Sequence, residues 1–137
     1  KFSIYQINSL KKLLRFLIKR YKINLNNILG HSDISPDRKK DPGEKFPWEF
    51  LSRNKLCLWH KISPIKLKKL RRVKLSSQKY EKKFLENLRK IGYSINFQNK
   101  KNIKFIIKAF QRRFRQNLID GKIDSECFEI SRNLLIL

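Results

Sequence analysis

The sequence is poor in the residues that mark several classes of protein. Its 137 residues include only two cysteines, four glycines and four prolines. Cys57 and Cys127 are too few for a disulfide framework or a zinc knuckle, so both are interpreted as small apolar residues. No apolar run approaches the roughly 20 residues that a membrane-spanning helix needs. Residues 1–5 also lack the apolar core and the cleavage site of a secretory signal.

Acidic residues are scarce as well. The sequence has 11 acidic and 34 basic residues, which gives a formal charge of +23. Such an imbalance favours nucleic acid or another polyanion as a partner. The basic residues are nevertheless spread along the whole chain, as a coding bias toward AT-rich codons would also produce. Their one dense cluster, at residues 66–74, is interpreted as a solvated linker. Nucleic acid is therefore not the expected partner.

A hydrophobic content of 40% is enough for a modest core, and the first clear element is a helix over residues 3–21. Ser3 and Gln6 have the spacing of a capping box, which satisfies backbone N–H groups at a helix start. Apolar residues then recur at intervals of three and four, while basic residues occupy the opposite face. The pattern predicts an amphipathic helix that lies on a core.

The most distinctive stretch reads GHSDISPDRKKDPG at residues 30–43 and FPW at residues 46–48. We refer to residues 30–48 as the motif loop. Its prolines and glycines exclude a continuous helix. It follows a short apolar run at residues 27–29 that is predicted as a strand. Long ordered loops on a rigid scaffold are where catalytic and metal-binding groups concentrate.

Two side chains of the motif loop are of the type that binds zinc. His31 offers an imidazole and Asp41 a carboxylate, and the rigid bends between them could bring both to one ion. Lys39 would then place a cation beside the same centre, where it could stabilise negative charge on a carbonyl oxygen. A solvated turn with a lone histidine explains the spacing equally well, because two candidate ligands do not make a site.

The motif loop resembles the closing motif of the type 2 N-acetylmuramoyl-L-alanine amidases. As a family, these zinc hydrolases cut the amide bond between the lactyl group of muramic acid and L-alanine in peptidoglycan or its fragments. The resemblance implies that His31 and Asp41 are zinc ligands and that Lys39 helps to stabilise the tetrahedral intermediate. It also implies three positions that brace the loop: Asp33, Arg38 and Trp48.

The chain departs from the family pattern in front of the motif loop. The family has a first zinc histidine and a catalytic glutamate well upstream, whereas the residues before His31 include no His, Asp or Glu. A catalytic zinc normally keeps three protein ligands. The other histidine, His60, is predicted to be a solvated residue at a domain edge. We therefore expect a truncated or split amidase that is inactive alone and that an upstream amidase half would complete.

The second half of the sequence predicts three helices. The first ends at Gly92, the second begins at Asn102, and Asp124 caps the third. This unit resembles the peptidoglycan-binding domain found behind many such amidases, through AFQRRF at residues 109–114 and IDGKID at residues 119–124. Phe110 and Phe114 are predicted to be core residues rather than ligand contacts.

These inferences combine into one prediction. The fold class is an α/β remnant, the C-terminal part of an amidase domain, followed by a small all-α three-helix domain. The predicted boundaries are 1–62 for the amidase part, 63–75 for a basic linker and 76–137 for the peptidoglycan-binding-like domain. Zinc is the expected cofactor and peptidoglycan or a muropeptide the expected partner. The expected location is the cell envelope or periplasm, with cytoplasmic muropeptide recycling as the alternative. Two other functions stay open: a non-catalytic peptidoglycan-binding module and a basic nucleic-acid-binding protein.

Overall fold

The computed structural model describes residues 2–137, and this part of the chain is helical. Its α-helices are α1 (Ile4–Tyr21), α2 (His31–Ile34), α3 (Trp48–Arg53), α4 (Pro64–Leu70), α5 (Gln78–Ile91), α6 (Lys100–Phe114) and α7 (Ser125–Leu134). A 3₁₀ turn, Leu25–Asn27, lies between α1 and α2. None of these helices is long and apolar enough to cross a membrane.

The predicted α/β fold class is wrong, because no strand forms between residues 2 and 137. The run at residues 27–29 begins in the 3₁₀ turn and continues as extended backbone. A strand needs a neighbour with which to exchange backbone hydrogen bonds, and here the Ile28 carbonyl accepts from the Arg113 side chain instead (2.8 Å). The apolar alternation at residues 93–97 likewise stays a loop.

The helix predicted at residues 3–21 is confirmed. Ser3 caps α1, and Ser3 and Gln6 form the complete capping box. Lys22 ends the helix in a left-handed conformation with φ 51°. The inner face of α1 packs on a small core of buried residues, namely Trp48, Leu51, Leu56 and Cys57. This first core therefore lies directly behind the motif loop.

The C-terminal core is larger and is built from α5, α6 and α7. Phe84, Leu88, Ile106, Phe110 and Ile130 are completely buried in it. Gly92 ends α5 with φ 123°, a value that glycine adopts without strain. The predicted core positions of Phe110 and Phe114 are confirmed, with 0% and 3% exposure.

The predicted helix starts are right for α7 and wrong for α6. Asp124 caps α7 by accepting from the backbone N–H of Cys127 (2.9 Å). Asn99, not Asn102, caps α6, and its side chain accepts from the backbone N–H of Asn102 (3.0 Å). The difference arises because both asparagines have capping chemistry, while the apolar spacing does not distinguish the first turn.

The three-helix description of the C-terminal part also needs correction, because α4 joins it. Ser63 caps α4, Pro64 is its first residue, and Leu67 is buried in the C-terminal core. Arg71, just after α4, donates two hydrogen bonds to Glu126 at the start of α7 (2.8 and 2.7 Å). The basic run at residues 66–74 thus includes a docked helix. The boundaries 62/63 and 75/76 stay predictions.

Candidate metal site

The motif loop doubles back so that its two ends meet. After α2, the backbone N–H of Lys39 donates to the carbonyl of Ser35 (2.9 Å) and closes a turn. The backbone N–H of Ser32 then donates to the carbonyl of Asp41 (3.0 Å). This bond joins the second residue of α2 to a residue nine positions later. The hydrogen bond therefore brings the side chains near residue 32 close to those near residue 41.

His31 and Asp41 are the side chains that this path brings together. Nδ1 of His31 contacts Oδ2 of Asp41, and both side chains are exposed, at 73% and 57%. The hydrogen bond from His31 holds the pKa of the Asp41 carboxyl below its usual value, and the charge of Lys39 adds a smaller effect in the same direction. A nitrogen and an oxygen ligand therefore lie side by side at the protein surface, with a cation near enough to act on the carboxylate.

Close packing at Gly30 fixes the base of the loop. A Cβ at this position would lie 2.6 Å from Cδ of Pro42 and 3.3 Å from Cζ2 of Trp48. Trp48 is itself 4% exposed and belongs to the first core. Only glycine lets the start of α2 approach the Asp41–Pro42 segment this closely. The meeting of His31 with Asp41 therefore depends on a glycine that carries no chemistry of its own.

Asp33 connects the motif loop to the C-terminal helices. Its carboxylate accepts from the backbone N–H of Gly30 (2.9 Å), from the Tyr93 hydroxyl (2.8 Å) and from the Arg113 guanidinium (2.7 Å). The Arg113 guanidinium also lies over the Trp48 ring, 4.1 Å from its centroid. Burial, with the Asp33 charge as a smaller cause, raises the pKa of Tyr93 well above its ordinary value. The buried ion pair between Asp33 and Arg113 thus holds the motif loop against α6.

Sequence reasoning missed Tyr93 and Arg113. They lie 60 and 80 positions from Asp33, so no local pattern connects them. One signal was available. Arg113 lies next to Phe114, a predicted core residue, and a cation that is buried with such a residue requires a group of opposite charge. Among the implied bracing positions, Asp33 and Trp48 are buried at the loop base, while Arg38 is exposed and donates to Ser35 Oγ (3.0 Å).

The predicted environment of His60 is wrong. It is 7% exposed rather than solvated, and its ring packs on Trp59 with 4.8 Å between centroids. Trp59 contacts both cores, so the segment after α3 runs inside the junction rather than along an edge. His60 is not close to His31 and Asp41 in any group that could bind a metal. Within residues 2–137 no three His, Cys, Asp or Glu side chains form such a group.

The donor set in the described part of the chain is therefore suitable for zinc but incomplete. Imidazole nitrogen and carboxylate oxygen are both ordinary zinc ligands. A catalytic zinc takes three protein ligands and keeps one position open. His31 and Asp41 would be two of the three.

Sequence comparisons agree with the resemblance found in the motif loop. The family model described as N-acetylmuramoyl-L-alanine amidase matches residues 1–44. The N-acetylmuramoyl-L-alanine amidase AmiD of Escherichia coli (strain K12) is 32% identical over 135 residues, which are 98% of this chain and 49% of that protein. The 1,6-anhydro-N-acetylmuramyl-L-alanine amidase AmpD of Haemophilus influenzae is 49% identical over 49 residues, or 35% of this chain and 27% of that protein.

Solved structures extend the similarity to the fold. The complex of AmiD from E. coli with anhydro-N-acetylmuramic acid-L-Ala-D-gamma-Glu-L-Lys superposes with a TM-score of 0.87 at 31% identity, and covers 98% of this chain and 52% of that one. AmpDh3 from Pseudomonas aeruginosa gives a TM-score of 0.80 at 29% identity, with 98% and 53% covered. The chain thus spans about half the length of AmiD and AmpDh3. Across that half, it is similar to N-acetylmuramoyl-L-alanine amidases in both sequence and fold.

Proposed function

We propose that this chain is part of a zinc-dependent N-acetylmuramoyl-L-alanine amidase, which hydrolyses the muramoyl–L-alanine amide bond of peptidoglycan or muropeptides. The observation that carries the proposal is the contact between His31 and Asp41 in a loop that is fixed at both ends. Its support comes from AmiD, which was solved with a muramyl peptide substrate, and from AmpDh3, which was solved with anhydromuramic pentapeptide. The proposed substrates are peptides of the same kind.

In this proposal His31 and Asp41 hold the zinc ion, and Lys39 acts on the substrate. Zinc supplies a Lewis acid and lowers the pKa of water when it is bound. Without zinc, the hydrogen bond from His31 lowers the pKa of Asp41. A bound zinc ion would take the place of that proton between the two side chains and would itself favour the ionised carboxylate. Lys39 stabilises the negative charge that develops on the carbonyl oxygen of the scissile amide.

The third ligand and the catalytic glutamate are proposed to come from an upstream amidase half. Residues 2–30 include no His, Asp or Glu that could supply them. α1 carries five large apolar side chains that are between 52% and 81% exposed, namely Ile4, Tyr5, Leu13, Phe16 and Tyr21. Apolar surface of this extent marks an interaction site. We propose that the upstream half covers it, so that α1 is enclosed between that half and the first core.

Zinc titration and an activity assay test this function. By calorimetry, the chain alone is expected to bind zinc weakly, and His31→Ala or Asp41→Ala should abolish that binding. Asp37→Ala, which removes an exposed carboxylate of the same loop, is the matched control and should bind like the parent. Weak affinity is expected because two ligands are fewer than the three of a catalytic site.

The chain alone is expected to release no L-alanyl peptide from sacculi or anhydromuramyl peptide. Addition of a separately produced N-terminal half of an AmiD-type amidase should restore release, and Lys39→Ala should reduce the restored rate with zinc affinity unchanged. Release by the purified chain alone would refute the split arrangement. Zinc binding that survives His31→Ala would refute the metal site.

The proposed location is the cell envelope or periplasm, where intact wall would be the substrate. Cytoplasmic recycling of soluble muropeptides is the alternative. Sedimentation with purified sacculi separates them, because a wall enzyme should sediment with insoluble polymer. An enzyme of recycling should remain in the supernatant and act on soluble fragments.

A further inference from the structure

The end of α6 and the turn after it hold the motif loop at three places. The Arg113 guanidinium donates to the carbonyl of Ile28 (2.8 Å), just before the loop begins, and to the carboxylate of Asp33 (2.7 Å) in α2. The side-chain amide of Gln116 donates to the carbonyl of Phe46 (2.8 Å), near the end of the loop. The entry, the first turn and the exit of the loop are thus each bonded to the C-terminal helices.

The contacts of Arg113 converge on Gly30, the residue before His31. The carboxylate of Asp33, which Arg113 binds, accepts from the backbone N–H of Gly30 (2.9 Å). The Trp48 ring, which the guanidinium covers at 4.1 Å from the centroid, packs against the α-carbon side of Gly30. Both groups that fix Gly30 are therefore held by Arg113. The position of the His31 imidazole depends in this way on a residue of α6.

These contacts use properties that are particular to arginine. The side chain of Arg113 is 3% exposed. Its planar guanidinium presents several N–H groups in fixed directions, so it can bond to two oxygens and stack on a ring at once. A lysine would offer one compact ammonium at the same place and could not make all of these contacts together. The Tyr93 hydroxyl, just after α5, adds a further bond to Asp33 (2.8 Å).

We propose that Arg113 and Gln116 are positioning residues of the metal site, which hold His31 and Asp41 together and thereby set their affinity for zinc. The inference rests on the proposed function, because it concerns the same metal site. It goes beyond that function by assigning part of the site to the C-terminal helices, which resemble a separate binding domain. Loss of a partner outside the coordination sphere usually weakens metal binding by about 10–100-fold.

Hydrogen exchange of the Ser32 amide, measured by NMR in the 137-residue chain without metal, tests the positioning directly. Ser32 is 4% exposed, and its N–H donates to the carbonyl of Asp41 (3.0 Å). Arg113→Met should speed this exchange by at least about tenfold, as loss of hydrogen bonds from a charged group predicts. Arg113→Lys keeps the charge and should lie between that variant and the parent. Unchanged exchange in Arg113→Met would overturn the proposal.

Arg71→Met is the matched control, because it removes a guanidinium from another ion pair of the C-terminal helices. Arg71 donates two hydrogen bonds to Glu126 (2.8 and 2.7 Å) and none to the motif loop. This variant should be less stable than the parent, while exchange at Ser32 stays close to that of the parent. If Arg71→Met and Arg113→Met speed that exchange equally, the effect is one of overall stability and the proposal is wrong.

A zinc titration, followed through the NMR signals of the His31 ring, tests the effect on the metal. Arg113→Met should weaken zinc binding by about tenfold, and Arg71→Met should leave it unchanged. Gln116→Ala removes one uncharged hydrogen bond and should weaken binding by about threefold, which keeps the test usable if Arg113→Met folds poorly. Parent-like affinity in both Arg113→Met and Gln116→Ala would overturn the proposal.

The two measurements separate this inference from the proposed function. If the parent binds no zinc at all but exchange at Ser32 responds to Arg113→Met, the metal function fails and the positioning of the loop by α6 is supported. If zinc binds and depends on His31 but neither readout responds to Arg113→Met, the proposed function stands and the positioning role fails.

Discussion

Replacement of Asp33 by asparagine tests how firmly the motif loop is fastened to the C-terminal helices. The side chains of Asp33 and Arg113 are 5% and 3% exposed, and their charged atoms lie 2.7 Å apart. The substitution Asp33→Asn would keep the shape of the side chain. It would remove the charge opposite Arg113 and turn one acceptor into a donor, although all three groups that Asp33 binds are donors. A buried cation would be left without compensation.

The expected loss in the free energy of unfolding is about 3–5 kcal/mol, the usual cost of removing one partner of a buried ion pair. Total stabilities of domains are about 5–15 kcal/mol, so the loss is a large share. With a urea dependence of about 1–3 kcal/mol per molar, the midpoint of unfolding should fall by at least about 1 M. Urea titration, followed by tryptophan fluorescence and far-ultraviolet circular dichroism, measures it.

Asp37→Asn is the matched control, because it makes the same chemical change at an exposed position of the same loop. It should stay within about 0.5 kcal/mol of the parent. The double variant Asp33→Asn/Arg113→Met should be less unstable than the sum of the single variants, because it removes the uncompensated cation. A midpoint for Asp33→Asn equal to that of the parent would show that the ion pair contributes nothing.

Two further outcomes are expected from buried groups. Burial lowers the pKa of His60, while the Phe114 carbonyl and the Glu49 charge partly oppose this. On acidification, His60 therefore takes up its proton at a higher pH in the unfolded chain than in the folded chain. The free energy of unfolding should be greatest above a pH of about 6.5 and should decrease as the pH falls below it. In a His31→Asn background, urea midpoints should show that fall, and adding His60→Phe should remove it. Burial also raises the pKa of Cys57 to about 11 and that of Cys127 to about 12. A thiol reagent at mildly alkaline pH should label both cysteines only after unfolding, and rapid labelling of the folded chain would contradict their burial.

Local patterns in the sequence were sufficient for much of the helical structure. The capping box at Ser3 and the cap at Asp124 each involve residues within a few positions, and both are observed. The approach of His31 to Asp41 could be anticipated because prolines and a glycine bend the chain between and after them. Their shared role as zinc ligands is still a prediction.

The errors have a common physical origin in distant partners. The strand expected at residues 27–29 has no neighbouring strand among residues 2–137, and Arg113 takes the Ile28 carbonyl instead. His60 was expected in solvent at a domain edge because the resemblance gave it no role as a metal ligand. Its surroundings include the backbone of Phe114 at the end of α6, 54 positions later in the sequence. The contribution of α4 was missed because the basic residues on both sides of Leu67 hid one buried side chain.

The contact between Gly30 and Pro42 has a consequence for how this surface can vary. A methyl group at residue 30 would require the ring at residue 42 to move, and residue 42 is covalently next to a proposed ligand. A side chain added at residue 30 alone would therefore push residue 42 and displace the neighbouring carboxylate from its imidazole partner. A larger residue at position 30 is therefore expected only together with a change at position 42, so the spacing of two chemical groups depends on a residue that takes no part in the chemistry.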